Sequence, residues 1–312
     1  MSSLILADRP GRMENAAATG FKMTVTGASA LVAVALSGVG VFLIVSSAPA
    51  FTAHADQLPL AAPTLWALAG PLVFGSIWSS TLALAIALPL GVGVGLYITW
   101  YAPRRLAGLL AAMIDTLAAI PSVVYGLWGL MCLAPVMSGV YDWAARWLGW
   151  FPLFAGTASS TGRTIGTGAL VLAIMILPII AALCREVFQR APAAGVEAAL
   201  GLGATRWEMI RLAVLPWAGS GIVSAGLLGL GRALGETMAI AMVVSPAPFF
   251  VGWSVITSAN PNTVAAFIAQ FFPEAHQVEV AALIGLGLIM FGITLLVNAV
   301  GRRLADGRQG QR

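Results

Sequence analysis

Six long apolar runs constrain the fold of this chain more than any other feature of its sequence. They cover residues 24–48, 74–100, 107–135, 168–183, 217–244 and 280–300. About 20 apolar residues cross the hydrocarbon core of a bilayer. Five runs are long enough, and Thr167 and Cys184 can extend the short fourth run. The runs are continuous and do not alternate with polar residues, which predicts helices and not the strands of a membrane barrel.

The composition indicates the same surroundings. Charged residues are 9% of the 312 residues and apolar residues are 59%, whereas a soluble globular domain carries about 25% charge. In hydrocarbon every backbone polar group must be paired internally. The sequence therefore predicts an all-α integral membrane protein with about six transmembrane helices. The first run is longer than the ~7–15-residue core of a secretory signal, so we expect it to be retained as a helix.

The positive charges are distributed unevenly between the segments that connect the runs. If the runs cross the membrane in turn, thirteen Lys and Arg residues fall on one side, and two, Arg146 and Arg163, fall on the other. Arg232 is left over inside the fifth run. The positive-inside rule then places both termini in the cytoplasm. This asymmetry also accounts for the net charge of +4 without nucleic acid as a partner.

The segment between the fourth and fifth runs is longer than a connector between two spans needs to be. Pro192 permits a helix to start, residues 197–199 favour a helix, and Gly201 and Gly203 interrupt it. A second amphipathic turn follows and is expected to end at Pro216. We interpret this segment as a cytoplasmic projection of two short helices that docks on a soluble partner.

The fifth run contains two charged residues, Arg232 and Glu236, which a continuous helix would place on one face. Charges at that depth cost several kcal/mol each unless they are paired or face a cavity, so they are candidates for function. Arg forms forked hydrogen bonds to oxyanions, and Glu236 would hold the guanidinium or accept from a protonated ligand. The alternative is a structural ion pair between the two. Asp115, in the third run, is expected to be structural, as a partner for a neighbouring helix.

The projecting segment resembles the cytoplasmic loop of permeases of bacterial ABC importers. That loop carries Glu-Ala-Ala, three residues, Gly, nine residues, Ile, one residue and Leu-Pro. Six positions match at this spacing: Glu197, Ala198, Ala199, Gly203, Leu215 and Pro216. Ala213 stands where the family usually has Ile. The resemblance implies the type I ABC importer permease fold, with a cytoplasmic coupling helix seated in a groove of an ATPase subunit.

Further strings resemble the permeases of phosphate importers. Residues 229–237 read Gly-Leu-Gly-Arg-Ala-Leu-Gly-Glu-Thr, a string that sulfate and molybdate permeases also approximate. The strings that resemble the phosphate type more specifically are residues 101–105, 119–129 and 176–179. The resemblance implies a permease subunit that carries inorganic phosphate across the cytoplasmic membrane of a bacterium. The alternatives are a permease for another oxyanion, sulfate or molybdate, and a proton-coupled secondary transporter or intramembrane enzyme using Glu236.

By the same resemblance, the partners are a second related permease subunit, two ATPase subunits and an extracytoplasmic phosphate-binding protein. The chain has no Gly-x-x-x-x-Gly-Lys-Ser/Thr sequence, so ATP and Mg are expected on the ATPase subunits and no cofactor on this chain. It shows neither a nucleophile–base constellation nor metal-ligand spacing, which predicts a transport subunit and not an enzyme. The expected divisions are a cytoplasmic tail (1–23), a first helix and outer loop (24–72), the importer transmembrane domain (73–301) and a second cytoplasmic tail (302–312).

Overall fold

The structure, a computed structural model, describes residues 12–307, with side chains from 20 to 303. In that part of the chain every regular element is helical. The α-helices are α1 (Arg12–Ser47), α2 (Leu65–Leu96), α3 (Arg104–Ala118), α4 (Ser122–Trp128), α5 (Ala134–Leu148), α6 (Ile165–Gln189), α7 (Ala193–Gly201), α8 (Arg206–Met209), α9 (Leu215–Leu234), α10 (Met238–Val243), α11 (Val264–Phe271) and α12 (Val278–Gly307). Three π-helical turns, Tyr97–Tyr101, Gly129–Leu133 and Ile210–Val214, prolong α2 and join α4 to α5 and α8 to α9.

Six of the resulting helical rods are long and apolar enough to cross a membrane. Within the described residues they are Gly20–Phe51, Leu65–Tyr101, Ser122–Leu148, Ile165–Gln189, Arg206–Leu234 and Val278–Arg303. The predicted all-α membrane fold with six spans is therefore confirmed. The helix in the fourth run, α6, is longer than the apolar run itself. The Thr164 side chain caps its start, and the helix continues to Gln189.

The centre of the bundle is the packing of α2 against α6. A Cβ atom at Gly91 would lie 2.7 Å from Cγ2 of Ile180, and one at Gly95 would lie 3.1 Å from Cβ of Cys184. Small residues let membrane helices approach this closely. Gly93 has no neighbour within 4 Å of such an atom, so it does not share the contact. The helix α2 runs through Pro89 without interruption.

The third apolar run does not form one helix, because the chain leaves helical geometry at Ala119–Pro121. Proline lacks the N–H that a helix interior needs and disfavours helical geometry in the residue before it. Pro121 thus accompanies a full break between α3 and α4. Asp115 in α3 forms an ion pair with Arg185 in α6 at 3.8 Å, so its predicted role as a partner for a neighbouring helix is confirmed.

The fifth run is also broken, and the prediction of one continuous helix over 217–244 is wrong. The helix α9 ends at Leu234, and α10 begins at Met238 after three residues outside the helix. Gly235 donates its N–H to the carbonyl of Gly231 and closes the last turn of α9. At the start of α10, the Glu236 side chain accepts a hydrogen bond from a backbone N–H. Both helix ends at the break, the end of α9 and the start of α10, are therefore capped.

The helical bounds also differ from the predicted tails. The helix α1 begins at Arg12 and α12 extends to Gly307, so parts of both predicted tails are helical. Residues 1–11 and 308–312 of those tails lie outside the described residues. The division of the chain at residues 23, 72 and 301 otherwise stays a prediction.

A fully buried asparagine fixes the irregular segment after α10. The Asn260 side-chain N–H groups donate to the carbonyls of Arg163 at 3.2 Å and Ser245 at 3.1 Å. Its Oδ1 accepts from the N–H of Ile165 at 2.8 Å. Because a buried amide is costly unless its groups are paired, this residue ties the start of α6 to the end of α10.

Candidate substrate path and coupling loop

The two interrupted spans lie against each other immediately beyond their breaks. A Cβ atom at Gly126 in α4 would lie 2.8 Å from Cα of Ala239 in α10. One turn further, a Cβ atom at Gly129 would lie 3.0 Å from a methyl group of Val243. Glycine at these positions permits near-backbone contact between the two helices, so the breaks at 119–121 and 235–237 are neighbours in the bundle.

The breaks lie near mid-depth of the bundle. Gly229, three residues before Arg232, packs on Ile180, with a Cβ atom there lying 2.8 Å from Cδ1 of that residue. Ile176 and Ile180 occupy the central turns of α6. Irregular backbone at membrane depth is tolerated only where it is buried in protein or lines a water-filled cavity. Broken helices that meet at mid-depth are the arrangement in which many transporters bind their substrate.

Arg232 lies in the last turn of α9, directly before the break, and its side chain is exposed. It lines a cavity of about 710 Å³ between α9 and α12. Among the side chains that the structure describes, none forms an ion pair with its guanidinium.

Glu236 has a different environment from Arg232. It is 9% exposed, and its Oε1 accepts a hydrogen bond from the N–H of Ala239 at 3.2 Å, at the start of α10. The expectation that Arg232 and Glu236 share one helix face is wrong, because three non-helical residues separate α9 from α10. No ion pair joins the two, so the structure contains neither the predicted clamp on the guanidinium nor the alternative structural salt bridge.

Tyr125 is a residue at this site that sequence reasoning did not single out. Its hydroxyl donates to the carbonyl of Leu117 at 2.9 Å, which ties the last turn of α3 to α4 across the break at Pro121. A tyrosine inside an apolar run is the available signal, since a buried phenolic hydroxyl needs a polar partner.

The projecting segment forms the first of the two predicted short helices, α7, and the second is the start of a longer helical rod. Gly203 follows α7 with a φ of +85°, a left-handed conformation that glycine adopts without strain. The N–H of Gly203 bonds to the carbonyl of Leu200 at 3.0 Å, and the N–H of Ala204 bonds to that of Ala199 at 3.1 Å. These two bonds define a Schellman motif, which ends α7 sharply.

The start of α8 is capped by side chains. The Thr205 hydroxyl accepts from the N–H of Glu208, and the Glu208 carboxylate accepts from the N–H of Thr205 at 2.8 Å. This capping box pairs two backbone donors that would otherwise lack partners. Arg206 donates to the carbonyl of Trp100 at 3.4 Å, which links the turn to the end of α2.

The residues of the matched loop motif divide between surface and bundle. Glu197, Ala198 and Gly203 are exposed. Ala199 packs against the bundle core together with Leu215.

The second helix does not end at Pro216 as predicted. The π-helical turn Ile210–Val214 precedes this proline, and a widened turn can accommodate a residue without an N–H. One rod therefore runs from Arg206 to Leu234.

Comparison with known proteins identifies the family of this chain. A family model described as "Binding-protein-dependent transport system inner membrane component" matches residues 87–308. The chain belongs to this family. The permease is also 38% identical over 298 residues to "Phosphate transport system permease protein PstC 2" of Mycobacterium tuberculosis, covering 92% of this chain and 91% of that protein. It is 36% identical over 305 residues to the PstC permease of Mesorhizobium japonicum, covering 93% and 91% of the two chains.

Solved structures show the fold of the permease. A chain of the MetNI methionine ABC transporter in an inward-facing conformation matches with a TM-score of 0.58 at 15% identity, over 77% of this chain and 96% of that chain. An alginate ABC transporter in complex with its periplasmic protein matches with a TM-score of 0.50 at 18% identity, over 75% and 78%. These structures show that the permease has the type I ABC importer fold. Its family and its PstC relatives show that it is a transport subunit and not an enzyme.

Proposed function

We propose that the permease forms, with a second related permease, the path by which an ATP-driven importer carries inorganic phosphate into the cell. The observation that carries this proposal is Arg232, an arginine without an ion pair among the described side chains, placed where two broken spans meet. The names of the PstC relatives supply the substrate. Arg232 contacts the anion in this proposal, and Glu236 holds α10 in the position that keeps the break open.

The chemistry of phosphate fits this site. A phosphate that enters a bilayer must give up part of its hydration shell. A guanidinium replaces lost water with two parallel charge-assisted hydrogen bonds. The Glu236 carboxylate accepts a hydrogen bond from the start of α10. It therefore does not pair with the Arg232 guanidinium, which stays available to the anion. One guanidinium at this contact keeps the binding weak enough for release.

The coupling route is short. We propose that α7 docks on an ATPase subunit, which binds ATP and Mg, through its exposed face. Leu202, at the tip, is 90% exposed, which suits a residue covered by a partner. The rod from Arg206 to Leu234 begins at this docking site and contains Arg232. Movement of the loop when the ATPase dimer closes therefore moves the helix that carries the anion-binding side chain.

The same proposal fixes orientation and partners. The thirteen-to-two distribution of Lys and Arg supports cytoplasmic termini and a cytoplasmic α7, in the cytoplasmic membrane of a bacterium. Two ATPase subunits and an extracytoplasmic phosphate-binding protein complete the importer. The family description, which names a binding-protein-dependent system, supports the last of these.

Transport by the reconstituted complex tests this function. The permease, its companion permease and the ATPase are reconstituted in liposomes, and radiolabelled phosphate is supplied with the binding protein. We expect uptake that requires ATP and the binding protein and that excess sulfate or molybdate does not inhibit. Uptake of sulfate or molybdate in place of phosphate would assign another oxyanion. Uptake driven by a proton gradient without the ATPase would contradict the importer altogether.

A further inference from the structure

The cavity beside Arg232 contains a second arginine. Its polar lining consists of Ser224 and Arg232 from α9 and Asn298 and Arg302 from α12. Asn298 and Arg302 are four residues apart, so they share one face of α12. The sequence placed Arg302 in a cytoplasmic tail, whereas the structure places it in a helix, on the wall of the cavity that Arg232 also lines.

The position of Arg302 along the path follows from one close contact. A Cβ atom at Gly301 would lie 2.3 Å from Cδ1 of Leu227, so these two residues are level with each other. Leu227 precedes Arg232 by five residues in α9, which corresponds to about 7.5 Å along the helix axis. Arg302 therefore lies about one and a half turns from Arg232, toward the end of the bundle that carries α7.

Among the side chains described between residues 20 and 303, the charges that line this cavity are all positive. Within that part of the chain, neither guanidinium group forms an ion pair and no carboxylate lines the cavity. Two positive charges that face the same space repel each other, an arrangement that is costly at membrane depth unless an anion enters between them. The Asn298 amide and the Ser224 hydroxyl add neutral donors suited to the oxygens of a tetrahedral anion.

We propose that Arg302 and Asn298 form a second binding station for the transported oxyanion, between Arg232 and the cytoplasm. This inference rests on the proposed function. The anion passes from Arg232 to Arg302, so it does not have to cross an apolar stretch of the path without a positively charged partner. Two weak sites in series also release their ion more readily than one strong site, as in channels that conduct through adjacent sites.

The adjacent residue supplies a matched control. Arg303 is exposed and carries the same charge on the same turn of α12, but it does not line the cavity. In the reconstituted complex we expect Arg302→Gln to lower phosphate uptake per assembled complex about tenfold, the loss of one charge-assisted hydrogen bond. Arg303→Gln should stay within about twofold of the parent. Stimulation of ATP hydrolysis by the binding protein should persist in both variants.

The other outcomes are decisive. Parent-like uptake by Arg302→Gln would overturn the station while leaving the proposed function intact. An equal loss in both variants would assign the effect to membrane orientation and overturn the station. Asp306 lies four residues after Arg302 in the sequence, so an equal loss in Arg302→Gln and Asp306→Asn would assign the effect to an ion pair within α12. If the parent complex moves sulfate and not phosphate, the proposed substrate is wrong. Sulfate uptake by Arg302→Gln and Arg303→Gln then tests the second binding station.

The phosphate group that binds Arg302 has two possible sources, the transported anion and a lipid headgroup. Uptake is therefore compared in liposomes of zwitterionic lipid with and without anionic lipid. We expect the same loss for Arg302→Gln in both membranes. A loss that occurs only with anionic lipid would show that Arg302 holds a headgroup, and this would overturn the proposal.

Discussion

The N–H of Ala239 donates a 3.2 Å hydrogen bond to Oε1 of Glu236, the buried carboxylate that lies within the break in the fifth span. This contact makes Glu236 the acceptor for a helix start. An acidic side chain at such a position pairs a free N–H and interacts favourably with the helix dipole. The carboxylate thus stabilises α10, and the guanidinium of Arg232 stays available on the other side of the break.

The first prediction separates this capping role from a charge-pairing role. Glu236→Gln keeps an oxygen acceptor, so the variant should assemble normally and keep measurable uptake. Glu236→Ala removes the acceptor and should cost about 1 kcal/mol of stability. The measurement is thermal unfolding of the purified complex, followed by uptake in liposomes. Equal destabilisation by both substitutions would show that the charge, and not the acceptor, is what α10 requires.

The second prediction concerns Arg232. Arg232→Gln should lower uptake about 10- to 100-fold with normal assembly and ATP hydrolysis, since a charge-assisted contact with the anion is lost. Arg232→Lys keeps the charge but not the fork, so it should also be impaired. Because no ion pair joins Arg232 to Glu236, the double variant Arg232→Gln/Glu236→Gln should not recover. Recovery of phosphate uptake in that double variant would contradict a substrate role.

The parts of this fold that sequence predicts are those set by local chemistry. The apolar runs determine the spans, and the spacing from Glu197 to Pro216 predicts the docking loop. The break at Pro121 was partly visible, because proline removes a backbone donor. The break after Leu234 was not, because glycine weakens a helix without forbidding it, and many glycines here lie inside continuous helices.

Long-range packing explains what sequence reasoning missed. The contact between Gly301 and Leu227, which brings Arg302 beside α9, joins residues 74 positions apart and has no local signal. The same holds for Gly126 and Ala239, whose contact makes two separate breaks into one site. A charge next to an apolar run is normally a membrane-flanking residue, so Arg302 was placed in a tail.

The third prediction tests the contact between the broken spans. Gly126→Ala would place a methyl carbon 2.8 Å from Cα of Ala239, so α4 must move away from α10. Overpacking of this kind costs about 1–3 kcal/mol. We expect lower thermal stability and lower uptake per complex. Gly93→Ala is the matched control, because an added methyl group there meets no atom within 4 Å. Equal effects of the two substitutions would contradict the close contact.

The fourth prediction concerns orientation. In a background with Cys132→Ala and Cys184→Ala, single cysteines replace Leu202 at the tip after α7 and His276 before α12, both exposed positions. An impermeant thiol reagent added to intact cells should label the cysteine at 276 and not the one at 202. After the membrane is opened and the ATPase subunits are stripped from it, both should react. Labelling at 202 in intact cells would contradict the cytoplasmic position of the docking loop.

The fifth prediction uses two glycines that differ in one backbone angle. Gly203 has a φ of +85°, whereas Gly201 ends α7 in helical geometry, and neither has an atom within 4 Å of an added Cβ. Gly201→Ala should therefore leave the loop intact or stabilise α7 by up to about 1 kcal/mol. Gly203→Ala forces a side chain into a left-handed conformation, which costs about 1–2 kcal/mol.

Because the Schellman motif at Gly203 sets the angle between α7 and the rod that carries Arg232, its loss should uncouple the permease from the ATPase. We expect Gly203→Ala to weaken copurification of the ATPase or to separate ATP hydrolysis from phosphate uptake, and Gly203→Val to do so more strongly. Membrane insertion should be unchanged in both, since the loop lies outside the spans that direct insertion. Normal copurification and uptake by Gly203→Val, with Gly201→Ala as the control, would show that the geometry of this turn does not transmit the movement.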